Sequence, residues 1–133
     1  MITFSKLGRY GRLGNQMFQY AALRSLSLKR GYDFKIPDPK TMEWHGQTCL
    51  LDSFNIKAKY MSDEDYKKIK FNYMEPSVGS FDQNFFHLGD GVNLFGYFQS
   101  YQYFKDYKPD IVQELTPKDS LLESAKKILK SLK

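Results

Sequence analysis

Three glycines at three-residue spacing fall in the run Gly8-Arg9-Tyr10-Gly11-Arg12-Leu13-Gly14-Asn15-Gln16, and this run constrains the fold more than any other part of the chain. It sits between an extended apolar start and a helical stretch. Glycine lets a backbone come close to a ligand, and the first turn of the helix that follows points unpaired N–H groups at the same place. An anionic group can be held there without one side chain for each oxygen. A glycine-rich turn from strand to helix also occurs where the chain only has to turn, so the glycines alone leave both roles open. Asn15 is equally two-sided, because asparagine is among the best helix N-caps.

The surroundings of the run predict a βαβ unit. Residues 2–7 alternate apolar and polar, as a half-buried strand does. Residues 15–30 contain no glycine or proline, are rich in good helix formers, and meet a stop at Gly31. Met17, Phe18, Ala21, Ala22, Ser25, Leu26 and Leu28 form the apolar or small stripe of that helix. Residues 33–36 predict a second strand, closed by Pro37 and Pro39, so a parallel pair with a right-handed crossover is expected. Further on, 45–56 reads as loop with one short strand at most. Ser62 opens a capped helix with Asp63, Glu64 and Asp65 in its first turn and Lys67, Lys68 and Lys70 towards its end. Residues 71–74 predict a strand stopped by Pro76, and 92–98 a strand apolar on both faces. Ser100 caps a short helix carrying Tyr101, Tyr103 and Phe104, and Thr116-Pro117 opens a helix that runs from Lys118 almost to the end. The expected architecture is a single α/β domain over 1–133, a Rossmann-like parallel sheet flanked by helices. A chain of 133 residues suffices for one hydrophobic core.

Charge and cysteine usage narrow the partners. Of 20 cationic residues sixteen are Lys, five of them in the last sixteen positions. That distribution reads as a solvated helix face, and no nucleic acid is expected as a partner. Cys49 is the only cysteine, so no internal disulfide can form, and a cytoplasmic location is expected. No signal-peptide pattern and no apolar run of about 20 residues is present, so no transmembrane segment is expected. No His, Cys or carboxylate cluster has metal-ligand spacing, so no metal is expected.

The spacing G-x-x-G-x-x-G is neither the dinucleotide fingerprint nor a P-loop. The string GRLGNQMFQYAAL, however, resembles the opening motif of glycosyltransferase family eleven, the α-1,2-fucosyltransferases. FGYFQSYQYF, residues 95–104, is similar to that family's second landmark, G-Y-W/F-Q-S followed by Y-F. FDQNFF at 81–86, with Asp90-Gly91, resembles what precedes that landmark. The two ordered motifs stand about eighty residues apart, and the resemblance covers nearly the whole chain.

The resemblance implies the N-terminal half of a GT-B-type enzyme that transfers L-fucose from GDP-fucose to a galactose hydroxyl with inversion. The diphosphate leaving group gains negative charge as the sugar becomes oxocarbenium-like, and preorganised donors must stabilise it. Gly11, Arg12, Gly14, Asn15 and Gln16 are the implied donor- or phosphate-binding residues. Tyr97 and Gln99 are acceptor-side or cleft residues, or else a buried strand end under the first helix. Tyr101, Tyr103 and Phe104 read as core, and Trp44 and His45 lie in a loop where an aromatic can stack on a sugar. No cofactor is expected beyond GDP-fucose as donor substrate. None of the fifteen acidic residues is singled out as a general base, so the catalytic residue is unknown.

Family members continue with a strand and H-x-R-R-x-D, whose arginine holds the donor's phosphates. The two His and four Arg of this chain do not form that motif, and Lys133 falls where the connection to that strand would begin. The chain is therefore expected to be an acceptor-side half, incomplete or inactive alone, with the donor half supplied by a second domain or polypeptide. Two other readings stand beside it: a non-catalytic glycan- or partner-binding module of the same fold, and a plain nucleotide-binding α/β domain.

Overall fold

The computed structural model describes residues 1–132. Lys133, the expected connection point, lies outside the described residues. In chain order the elements are β1 (Ile2–Thr3), α1 (Leu13–Arg30), β2 (Phe34–Ile36), β3 (Glu43–Trp44), β4 (Gln47–Thr48), β5 (Lys59–Tyr60), α2 (Asp63–Tyr66), β6 (Phe71–Met74), β7 (Val92–Phe95), α3 (Lys108–Glu114) and α4 (Asp119–Ser131). Five strands form one parallel sheet in the order β5-β2-β1-β7-β6. Ile2 pairs with Phe34 and Thr3 with Lys35 on one side of β1, and Thr3 pairs with Asn93 on the other. The expected α/β parallel sheet flanked by helices is what the chain forms. β3 and β4 make a separate antiparallel hairpin.

Several elements are shorter than their apolar patterns. β1 ends at Thr3 because the Ser5 N–H bonds the Asn93 side chain, at 2.9 Å, and Leu7 and Arg9 then close turns onto Phe4 and Lys6. Phe4 and Leu7 are still buried, so the alternation reported burial and not extension. β7 stops at Phe95 because the next residues leave the extended region, Gly96 at φ 152° and Phe98 at φ 54°. α1 starts at Leu13, two residues early, with Arg12 as its N-cap, and ends at Gly31, whose φ of 70° lets its N–H reach the Ser27 carbonyl. The inward face of α1 carries Gln16, Gln19, Tyr20 and Leu23, while Phe18 is exposed. α2 forms with the Ser62–Asp65 capping box but is only four residues long.

Thr116-Pro117 does not cap α4. The Thr116 hydroxyl bonds back to Val112 at the end of α3, and Pro117 pairs with Phe54 in an isolated bridge. The N-cap of α4 is Lys118, and every residue of the helix is exposed, Leu121, Leu122, Ile128 and Leu129 with the lysines. Among the described residues no helix is long and apolar enough to cross a membrane.

Four of the aromatic rings form one core cluster. Phe98 packs edge-on to Phe4 and Tyr103, with ring centroids 5.9 and 5.1 Å apart, and Phe85 lies 5.6 Å from Phe98 and 4.9 Å from Tyr103. Edge-to-face pairs of this kind are worth about 0.5–1.5 kcal/mol beyond the area they bury. Two of these rings, Phe98 and Tyr103, come from the second sequence motif, which is thus partly core.

α3 is held to α1 by a buried polar cluster. Glu114 accepts from the Tyr20 hydroxyl at 2.5 Å and from Arg24 Nε at 3.1 and 3.0 Å through its two oxygens. Burial, then the neighbouring Glu114, pushes the Tyr20 phenol well above its ordinary range, so it stays a neutral donor. Glu114→Ala leaves the Arg24 charge without its partner and is expected to cost about 3 kcal/mol, with Glu114→Gln costing less; urea unfolding of both variants measures this. Asp65 supplies the pH test. Bonds from Ser62 and Lys35 hold its carboxyl below the usual carboxylate range. Its contribution is therefore present above the unfolded-chain value of about 4 and is lost as pH falls below it. Thermal melts are expected to show a smaller acid-induced drop in Asp65→Asn than in the unmodified protein.

Candidate functional site

Strand order places the two sequence motifs together. β1 and β7 are adjacent and parallel, so the glycine loop after β1 and the loop after β7 leave the same edge of the sheet. The chain proceeds from β1 to β2 on one side, while β7 pairs with β6 on the other. In open α/β sheets the crevice at such a reversal, outside the carboxyl ends of the strands, is where ligands bind. Two side chains of α1 join the loops. Gln19, fully buried, donates through Nε2 to the carbonyls of Tyr10, at 2.8 Å, and Gly96, at 3.1 Å. Asn15 accepts from Gln99 Nε2 through Oδ1 at 2.6 Å.

The three glycines have three different duties. A Cβ on Gly8, at φ 90°, would stand 2.8 Å from Met42 Cβ and 2.9 Å from Cys49 Cβ, so Gly8 lets the loop lie against the segment that carries the hairpin. A Cβ on Gly11, at φ 101°, would strike the Asn15 side chain at 2.6 Å. Gly11 therefore seats Asn15. Gly14 differs from both, because it lies in the first turn of α1 without a positive φ, is exposed, and has nothing within 4 Å of the place a Cβ would take. No contact within the chain requires glycine there.

The first intrahelical bond of α1 runs from Gln16 N–H to the Arg12 carbonyl, at 2.9 Å, and no side chain caps the helix. The N–H groups of Leu13, Gly14 and Asn15 precede that bond and have no carbonyl one turn back. Asn15 stands at the third helical position, so it is not the N-cap. Its amide is turned to Gln99 and to the space beside Gly11. Arg12 is exposed at the N-cap. Gln16, expected at the phosphates, is buried. Its Nε2 donates to the Gly11 carbonyl at 3.0 Å and its Oε1 accepts from the Cys49 thiol at 3.3 Å, so it supports the loop from behind. Burial raises the Cys49 thiol above its ordinary value, which keeps it a proton donor in this contact.

The second loop is held by a residue that carries no sequence signal. Glu75, at the end of β6, accepts from the N–H of Tyr97 at 3.3 Å and of Phe98 at 2.9 Å. These two bonds, with the burial of the Phe98 ring, fix Phe98 at a positive φ that costs a non-glycine residue of order 1–3 kcal/mol. Burial holds the Glu75 carboxyl above the ordinary carboxylate range, against the pull of the same two amides. With the loop so fixed, the half-buried Tyr97 stacks on Tyr10 of the first loop, with centroids 4.6 Å apart and planes at 24°. Gln99 is exposed beside Asn15, Tyr101 is exposed, and Tyr103 is buried in the core.

Sequence reasoning named Asn15, Gln99, Arg12 and Gly14, which the fold brings to one edge. It missed Gln19 and Glu75. A glutamine on the buried side of a helix was the available signal for Gln19; Glu75 precedes Pro76 like many strand-end residues and had none. Among the described residues no group of three or more His, Cys, Asp or Glu side chains is placed to hold a metal ion.

Comparison with known proteins agrees with this geometry. Residues 4–133 match glycosyl transferase family 11. Galactoside α-(1,2)-fucosyltransferase 2 of Pongo pygmaeus is 29% identical over 123 residues, covering 92% of this chain and 34% of that protein. The protein of the same name from Rattus norvegicus is 28% identical over 134 residues, covering 100% of this chain and 35% of its own length. The chain thus spans about a third of the length of these curated relatives. No solved structure matches it. With both motifs joined at one sheet edge and the match running through them, the chain belongs to glycosyl transferase family 11.

Proposed function

We propose that this chain is the part of an α-1,2-fucosyltransferase-like enzyme that faces both substrates, and that the enzyme moves L-fucose from GDP-fucose to a galactose hydroxyl with inversion. The observation that carries the reading is Gly14. It is a helical residue with open space before it, flanked by free N–H groups and by Asn15. Glycine costs helix stability relative to alanine, and its absence of side chain serves a ligand that approaches the backbone closely.

In this reading the amides of Leu13, Gly14 and Asn15 receive an oxygen of the donor's diphosphate as its charge grows, which is the preorganised stabilisation such a leaving group needs. Arg12 adds a full charge at the N-cap. Asn15, aligned by Gln99, presents its Nδ2 to the donor, and Gly11 gives Asn15 room. Gln16 and Gln19 keep the two loops in register from behind. Tyr97 lies on the acceptor side. The remaining cations for the diphosphate come from a segment or polypeptide beyond these 133 residues, since H-x-R-R-x-D does not occur in them. The second reading is a glycan-binding module of the same fold without transfer activity.

Isothermal titration with GDP, GDP-fucose and lactose separates the readings. Preference for GDP-fucose over GDP is the expected result; lactose binding with no nucleotide binding supports the module, and equal binding of GDP and GDP-fucose removes the fucose from the argument. Gly14→Ala is expected to raise thermal stability, by about 0.4–1 kcal/mol, while weakening GDP-fucose binding. A structural role alone predicts no such opposition. Asn15→Ala is expected to weaken GDP-fucose binding about 10- to 100-fold, the loss of one hydrogen bond to a charged group, with a small change in the melting temperature.

A further inference from the structure

The β3–β4 hairpin is not used in the proposed donor chemistry, yet it walls a cavity of about 420 Å³ against the first turn of α1. That volume lies in the range of small-molecule pockets. Its lining includes Trp44, Leu13 and Leu50 as apolar surface and Gln47, Thr48 and Arg12 as polar groups. Among the described residues no carboxylate and no lysine lines it, and Arg12 is its one cation. We propose that this cavity is an acceptor-glycan subsite that takes a neutral pyranose, with Trp44 as the stacking face and Gln47 as a hydroxyl partner. The inference rests on the reading of the chain as one that handles sugars.

The hairpin is built to present these two groups together. Trp44 and Gln47 are directly paired across the strands, so their side chains share one face. The turn between them has both central residues at positive φ, His45 at 47° and Gly46 at 76°, as a two-residue hairpin turn of this hand requires. The half-buried Trp44 ring is held edge-on by Tyr10, with centroids 6.4 Å apart at 80°, and by His45, 4.5 Å apart at 78°. Because Tyr10 also stacks on Tyr97, an aromatic row runs from the cavity to the second loop and the Asn15–Gln99 pair. The row links the wall of the cavity to the second loop by ring contacts.

The chemistry selects a sugar over other ligands. An aromatic face offers apolar contact to the C–H side of a pyranose, and the amide of Gln47 on the same hairpin face answers its hydroxyls. Two of the other cavities lack this balance. The one beside β2 and β5 is dominated by Lys35, Lys57, Lys59 and Lys68. The groove between Phe18 and Phe104 has almost no polar lining, so nothing there would orient a hydroxylated ligand.

Trp44 is the single tryptophan of the chain, so its emission reports on the surroundings of this one ring. Titration of the intact protein with lactose is expected to give a saturable change in Trp44 emission, at least tenfold weaker in affinity in Gln47→Ala, with GDP alone producing no change. No change with lactose, a change with GDP alone, or unaltered lactose affinity in Gln47→Ala overturns the subsite. Calorimetry on Trp44→Ala supplies the second readout: lactose affinity is expected to fall at least tenfold while GDP-fucose affinity stays within twofold. Equal loss of both ligands overturns the proposal, because it means that Tyr10 and the glycine loop depend on the ring. A lactose response without GDP-fucose binding removes the donor reading and leaves the subsite standing, whereas GDP-fucose binding without a lactose response removes the subsite alone.

Discussion

Parallel pairing of β1 with β7 fixes everything that follows at this sheet edge. Strands two to four residues long hold the pairing weakly by themselves, and the register between Thr3 and Asn93 is sealed from outside the ladder. The Asn93 side chain takes the Ser5 N–H just where β1 gives way to the loop. Gln19, buried in α1, then ties the carbonyls of Tyr10 and Gly96 together. A buried amide left without partners is costly, so this bridge holds the two loops at one separation. Asn15 and Gln99 meet on the exposed side of the same junction.

Around that junction, rigidity and openness are divided between neighbouring residues. Gln16, Gln19 and Glu75 bond to groups of the chain itself, and only the buried Oε1 of Gln19 is left without a partner among their polar atoms. Gly8 and Gly11 are close approaches within the chain. Gly14 alone is unaccounted for by internal packing. The strained Phe98 is buried in the aromatic cluster, so strain next to the crevice is held by contacts in the core. A crevice made in this way is held in shape by the chain's own contacts.

Much of the fold could be read from local patterns. The βαβ unit, the Ser62 cap, the strand at 71–74 and the stop at Gly31 each depend on neighbours in sequence, and each formed. The misreadings share a cause. Apolar alternation at 4–7 and apolar residues at 96–98 signal burial, and here turns bury them without extended pairing. Thr116-Pro117 has the composition of a helix start, but its backbone is claimed by residues 53–55 across the domain. The hairpin at 43–48 begins before the stretch 45–56, which reads as loop with one short strand at most, and its two-residue strands carry no periodicity.

The sequence by itself determined which segments stand out: a glycine run opening a helix, an asparagine within it, and a second aromatic motif about eighty residues on. Those are properties of short segments, since backbone freedom and helix-end donors are local. Which of these residues face outward was decided only by the tertiary structure. Gln16 and Asn15 are adjacent and chemically alike, yet one step of about 100° around a helix buries the first against Cys49 and turns the second to Gln99. No local rule distinguishes them, because the partners that do so arrive from β7 and from the segment before the Leu51 turn.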